Sequence, residues 1–197
     1  MIIISLKFNL FVNKCMIKRF GLLIVLCLTI FSNSFSNTLS DSTKFYFPNA
    51  WVGKWSGMLE IRKAGATVMN IPMQLHIFPS DSANCWQWKI IYMGEKTDER
   101  DYKLIRKKDA KAEYILDENN SIVLDFLFDK NTFYSIFSVA GNLLYTTYTL
   151  KGKIIDFNIV VVNEKKSNKS GGTSDEIPEV TSYSVLVTQH AILKRVK

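Results

Sequence analysis

The sequence predicts an all-β protein, a single up-and-down antiparallel β-barrel of about ten strands, and three observations carry that expectation. From Trp51 onward, apolar and polar residues alternate in short runs, the period of a half-buried strand. Turn chemistry separates the runs: Pro79-Ser80-Asp81-Ser82, Asp117-Glu118-Asn119-Asn120, Ala140-Gly141-Asn142 and Lys151-Gly152. No stretch of 10 to 12 residues has a period of 3.6. Ten short strands in a meander have two exposed edges, and closing the sheet on itself removes both.

The opening strand is Trp51 to Ile61, where Trp51, Gly53, Trp55, Gly57, Leu59 and Ile61 share one phase and Lys54, Ser56 and Glu60 the other. Two glycines four apart beside a tryptophan suggest a bend or the close approach of another backbone. The second strand, Val68 to Phe78, puts Met69, Ile71, Met73, Leu75 and Ile77 on one face, with Pro72 opposite, expected at a bulge or a poorly paired position. Cys85 to Met93 carries Trp86, Trp88, Ile90 and Tyr92 in phase, and Gly94 to Arg100 reads as a charged loop. Tyr102 to Lys107 and Ala112 to Asp117 follow as shorter, more charged strands. Ser121 to Phe128 aligns Ile122, Leu124, Phe126 and Phe128, and Thr132 to Val139 aligns Phe133, Phe137 and Val139. Leu143 to Leu150, Lys153 to Val162 and Val180 to Val196 complete the ten.

With an even number of strands the first and last pair antiparallel, and every connection after an odd-numbered strand lies at one end of the barrel. That end receives the polar stretch Asn163 to Glu179, read as a loop too polar to pack: either it is a binding loop and this end the mouth, or it is a disordered surface loop. Phe45-Tyr46-Phe47-Pro48 is expected to plug one barrel end.

Ahead of the barrel, residues 1–36 read as an export signal peptide, with translation starting at Met1 or at Met16. Met16 to Phe20 is short and cationic, Gly21 to Phe31 is apolar, and Ser34-Phe35-Ser36 offers small residues for cleavage. The apolar run is too short to span a bilayer, which needs about 20 residues, so no integral membrane span is expected after cleavage. Cys27 lacks the small preceding residue of a lipoprotein site, which argues against a lipid anchor. The expectation is a periplasmic or secreted protein with a flexible segment at 37–50 and the barrel at 51–197. The formal net charge of +7 is partly a leader effect: Lys7, Lys14, Lys18 and Arg19 stand there without an acid, so 21 bases face 18 acids in the rest, or +3. Interspersed charge of that size excludes a nucleic-acid footprint. Of three cysteines, Cys15 and Cys27 leave with the leader, so Cys85 has no disulfide partner and the fold rests on its core.

Gly53-Lys54-Trp55 on the first strand with Arg195 on the last resembles the calycin superfamily of lipocalins and fatty-acid-binding proteins. The resemblance spans residues 51–196 and implies a lipocalin-like barrel in which Arg195 packs over the Trp55 indole at the closed base, with Gly53 and Gly57 as structural positions. Val196-Lys197 after Arg195 depart from the Arg-x-Tyr carboxylate clamp of fatty-acid binders. Gly53-Lys54-Trp55-Ser56-Gly57 also resembles the opening of nitrobindin-like haem barrels, whose iron ligand is a histidine near the C terminus. That resemblance points to His190, although His190 shares the outer phase of Ser184, Thr188 and Lys194.

Catalysis has no support in the sequence: there is no Gly-x-Ser-x-Gly elbow, Walker loop or His-Glu-x-x-His pair. With two histidines and one retained cysteine no structural zinc site assembles, and no cofactor is called for. Inward aromatics are in surplus, and in a ten-stranded barrel they either fill the interior or line a cavity for a small hydrophobic molecule. Trp86, Trp88, Tyr102, Phe126, Ser135, Phe137, Tyr148 and Phe157 are the expected ligand-binding set, with Trp86 and Trp88 as the wall and Tyr102, Ser135 and Tyr148 as polar anchors. The alternative is a filled barrel acting as a structural or interaction module, presenting Val160, Leu186 and Ile192 to a partner or to a second copy in a homodimer.

Overall fold

The computed structural model describes residues 47–63 and 69–197. The expected leader, residues 37–46 of the segment after it, and the connection at 64–68 lie outside the described residues. The described residues form ten strands: β1 (Gly53–Lys63), β2 (Met69–Pro79), β3 (Cys85–Met93), β4 (Thr97–Arg106), β5 (Glu113–Asp117), β6 (Val123–Asp129), β7 (Thr132–Val139), β8 (Asn142–Lys151), β9 (Ile154–Ser170) and β10 (Val180–Arg195). Each pairs antiparallel with its neighbours in sequence, and β10 returns to pair with β1, from Trp55↔Arg195 to Lys63↔Val187. The result is a closed all-β barrel of ten antiparallel strands.

Alternation explains which residues turn inward. Trp55 and Leu59 on β1, Met73, Leu75 and Ile77 on β2, Trp86, Trp88 and Ile90 on β3, and Phe126 and Phe128 on β6 are all buried, while the residues between them are not. Phe133, Tyr148, Phe157, Ala191 and Leu59 follow one another around the wall as register partners or near partners and continue the same core.

The base of the barrel is shut by two devices. The first is the turn ahead of β1, which enters the interior. Phe47 is buried with its ring 4.7 Å from that of Trp86 and 5.1 Å from that of Phe133, and Trp51 is fully buried 5.2 Å from Phe133. Trp51, expected as a strand residue, thus belongs to the plug, because its amide donates to the Pro48 carbonyl at 2.9 Å and the chain turns before β1 begins. The second device joins the two ends of the meander. The Arg195 guanidinium stands 4.3 Å over the Trp55 ring and donates to the Ala50 and Val52 carbonyls, while the Trp55 indole donates to the Trp51 carbonyl at 2.8 Å. At an exposed site this cation–π contact contributes about 0.5–1 kcal/mol.

Both glycines of the opening strand have a steric reason. Gly53 has φ +141°, a conformation that side-chain-bearing residues rarely adopt, and a Cβ there would meet the Arg195 guanidinium at 2.7 Å. A Cβ on Gly57 would sit 2.3 Å from the Ile192 carbonyl oxygen, so the β1–β10 seam closes only over a bare backbone.

Two segments differ from the sequence reading. Thr97–Arg100 is strand and not loop, because the outer-face charges are paired: Lys89 on β3 bridges Glu99 at 2.6 Å and Asp101 at 3.3 Å. The stretch from Asn163 is also not a loop throughout. Strands β9 and β10 continue past the rest of the barrel as a two-stranded ribbon, from Tyr183↔Ser167 to Val180↔Ser170, with register shifts at its root.

Candidate functional site

The barrel interior has two storeys. Above the aromatic floor, at the end holding the connections after odd-numbered strands, lies a cavity of about 710 Å³. Its wall is mainly aliphatic: Leu59 and Ile61 from β1, Ile71 from β2, Leu124 from β6, Leu144 from β8 and Ile159 from β9, with Phe137 and Val139 from β7. These residues face inward because they continue the alternation of the buried core one or two pleats nearer the rim.

Most of the polar groups, those from β3, β4 and the adjacent rim connections, gather on one side of this cavity, with Gln189 three strands away around the barrel. Tyr92 on β3, Asp98 and Arg100 on β4 and Gln189 on β10 line it, joined by Lys96 and Glu118 from the rim connections. Asp98, Arg100, Tyr102 and Leu104 are alternate residues of one strand, so the buried Leu104 sets the inward phase for all four. Arg100 donates from Nε at 3.0 Å and from Nη2 at 2.8 Å to the same oxygen, Oδ2 of Asp98. Its guanidinium also stands 5.0 Å over the Tyr92 ring. Burial opposes the charge of Arg100, but the Asp98 hydrogen bonds together with the electrostatic pull of Tyr92, Tyr102 and Asp98 outweigh it, and the group is held more firmly cationic than usual. Burial pushes the Tyr92 phenol up to about 12 against the pull of Arg100, and it raises the Tyr102 phenol in the same way. Around neutral pH the β3–β4 part of the lining is therefore one ion pair flanked by neutral phenols.

Of the residues expected to line a ligand site, Phe137 lies on the cavity. Tyr102 stands one pleat below Arg100, half-buried. Trp86, Trp88, Phe126, Tyr148 and Phe157 are packed in the aromatic floor, where Trp88 and Tyr148 meet edge to face at 5.2 Å and Tyr148 and Phe157 lie 4.7 Å apart. Complete burial holds the Tyr148 phenol well above its ordinary value, so it stays neutral there. Ser135 is buried and donates to the Asp125 carbonyl at 2.7 Å. His190 is on the outer wall, 46% exposed, with Nε2 at 3.0 Å from Oδ1 of Asp156; no histidine lines the cavity among the described residues. Ile192 is exposed on the same outer face, and Val160 and Leu186 are partly covered. Sequence reasoning missed Asp98, Arg100 and Gln189. Counting back by twos from Leu104 would have found the first two, had the density of charge not read as loop.

No protein-family model matches the chain, and no curated protein sequence matches it. Solved structures do match. An S-type phycobiliprotein lyase, CPES, from Guillardia theta superposes with a TM-score of 0.52 at 10% identity, over 74% of this chain and 88% of that one. A protein of unknown function from the DUF3598 family of Nostoc punctiforme superposes with a TM-score of 0.52 at 13% identity, over 75% of this chain but only 48% of that one. At these identities the likeness is one of fold.

Proposed function

We propose that this protein is an exported, lipocalin-like member of the calycin superfamily that binds one small hydrophobic molecule in the open half of its barrel. The observation that carries this reading is the hollow storey itself: about 710 Å³ of aliphatic-walled space above a packed floor, open to the rim. Pockets of roughly 300–1,000 Å³ with few, convergent polar groups suit small ligands. The fold shared with a phycobiliprotein lyase is compatible with a ligand-holding barrel. Binding is the reading proposed, because the lining is mainly aliphatic and its deeper polar groups are the Asp98–Arg100 ion pair and the neutral Tyr92 phenol. Haem ligation through His190 is not proposed, since its ring is engaged with Asp156 on the outer wall.

The test is an environment-sensitive apolar dye titrated into the wild type and into Leu124→Trp, which fills the cavity from its wall. Saturable binding near one equivalent is expected for the wild type and at least a tenfold loss for the variant, with near-ultraviolet circular dichroism confirming that the variant folds. Equal binding by both, or no binding and no thermal shift across a panel of apolar molecules, overturns the reading. Export is supported by the cationic, apolar and small-residue succession from Met16 to Ser36. An exported product whose mass corresponds to a start at Asn37 is expected, and retention of the full-length chain in the cytoplasm would refute it.

A second reading draws on the outer wall. Ile136, 63% exposed, Tyr145 and Val160 are register partners across β7, β8 and β9 and form an uncharged outward row. Such a row suits a second copy of the chain, whose identical neutral face brings no like charges together. A sedimentation-velocity experiment that finds only monomer at high micromolar concentration removes this reading.

A further inference from the structure

The polar side of the cavity carries information about the head group of the ligand. Two cations, Lys96 and Arg100, and two anions, Asp98 and Glu118, line it, so the lining is electrically balanced before anything binds. Arg100, the cation within the β-wall, is already answered: two of its five N–H groups converge on one oxygen of Asp98, on the same face of the same strand. A ligand carboxylate reaching for Arg100 has to settle beside the Asp98 carboxylate or displace it. Either outcome crowds two carboxylates around one guanidinium, with Lys96 at the rim the remaining cation to answer the added charge, and the partial exposure of the pair moderates the cost without removing it. A neutral oxygen meets no such penalty. A hydroxyl, ester or amide can accept from the remaining guanidinium N–H groups while the ion pair stays whole, with its apolar body along Leu59, Ile71, Leu124 and Ile159.

We infer that the cavity selects neutral amphiphiles over carboxylates of the same shape, and that Asp98 sets this preference. The inference rests on the ligand-binding reading above and narrows it to a chemical class. Asp98 here is a specificity-determining residue: it does not attract the ligand but cancels the charge that would otherwise recruit an acid. Fatty acids, the ligands that a simple apolar barrel with an interior arginine would suggest, are the class it excludes.

The test is calorimetric titration of the full chain at pH 8 with 1-decanol and with decanoate, below the micelle concentration, which compares one apolar body under two heads. Decanol is expected to bind about tenfold more tightly than decanoate, a modest ratio because the Asp98 and Arg100 side chains are about half exposed and partly screened. Asp98→Asn keeps the shape and removes the charge, so the preference is expected to vanish or reverse. Asp98→Ser provides the same reading should the amide perturb the strand, and displacement of the apolar dye gives a second readout. Equal or tighter binding of decanoate by the wild type, or an unchanged ratio in both variants, overturns the inference and leaves the cavity as a binding site. Failure of both molecules to bind or to displace the dye overturns the inference together with the reading beneath it.

Discussion

The lower and upper halves of this barrel are built from the same ten strands and the same alternation, yet one is solid and the other hollow. In the lower half the inward positions are Trp55, Trp86, Trp88, Phe126, Phe128, Phe133, Tyr148 and Phe157, and the turn carrying Phe47 and Trp51 is packed among them. In the upper half the corresponding positions are Leu59, Ile61, Ile71, Leu124, Leu144 and Ile159. Strand count sets the width of a barrel, so the size of the inward side chains decides whether that width is filled. Rings, supplemented by a plug from outside the sheet, close the lower space. Aliphatic side chains leave the upper space open. On the binding reading proposed above, stability and binding fall to different storeys, and a mutation in one storey should register in one property more than the other.

The largest effect should come from the floor. Phe133 is fully buried and touches the rings of Phe47, Trp51, Tyr114 and Phe128, so Phe133→Ala is expected to cost about 3–5 kcal/mol in urea unfolding through lost contacts and an unfilled void. Its counterpart one storey up is Leu144→Ala. That side chain already borders open space, so about 1 kcal/mol or less is expected, together with a several-fold change in dye affinity. Similar stability losses at both positions would break the division between the halves.

A smaller, pH-dependent effect belongs to the outer wall, which neither storey shares. Burial raises the Asp156 carboxyl, but hydrogen bonds from Lys151 at 2.6 Å, from Asn158 at 2.9 Å and from His190 outweigh it and hold the group below its ordinary value. A carboxyl with a depressed folded-state pKa stabilises the fold above its unfolded value near 3.9, and the contribution disappears as pH falls through the folded value. Asp156→Asn should therefore lower stability at pH 7 by a few tenths to about 1 kcal/mol, with the difference shrinking below about pH 4. A difference that persists unchanged at pH 3 would show that the carboxylate charge is not its source.

Much of the fold was legible because one property, the period of two, governs both the sequence and the closed sheet. Trp88, Ile90 and Tyr92 declared their strand, and Lys151-Gly152 its turn. The site was harder to read. Arg100 and Asp98 look like loop residues until Lys89 is known to neutralise Glu99 and Asp101 from the adjacent strand, a pairing that depends on register. The ribbon beyond Asn163 was missed for a related reason: both of its faces meet solvent, so no alternation marks it as strand. The aromatics identified an interior without identifying its storey. Trp86 and Phe126 sit in the floor because Phe47, from outside the sheet, packs into the same space, and that placement is a matter of volume and not of pattern.

The clasp between Trp55 and Arg195 has a bearing on how the molecule comes into being. Its two halves are 140 residues apart in the chain, and of the barrel's ten strands β10 is made last. Until then β1 and β9 each present a raw border, and the sheet is a curled ribbon able to stick to other chains. Slow ring closure is the expected kinetic signature of such long-range pairing, and a nascent chain stalled before Arg195 would be the form most in need of a chaperone.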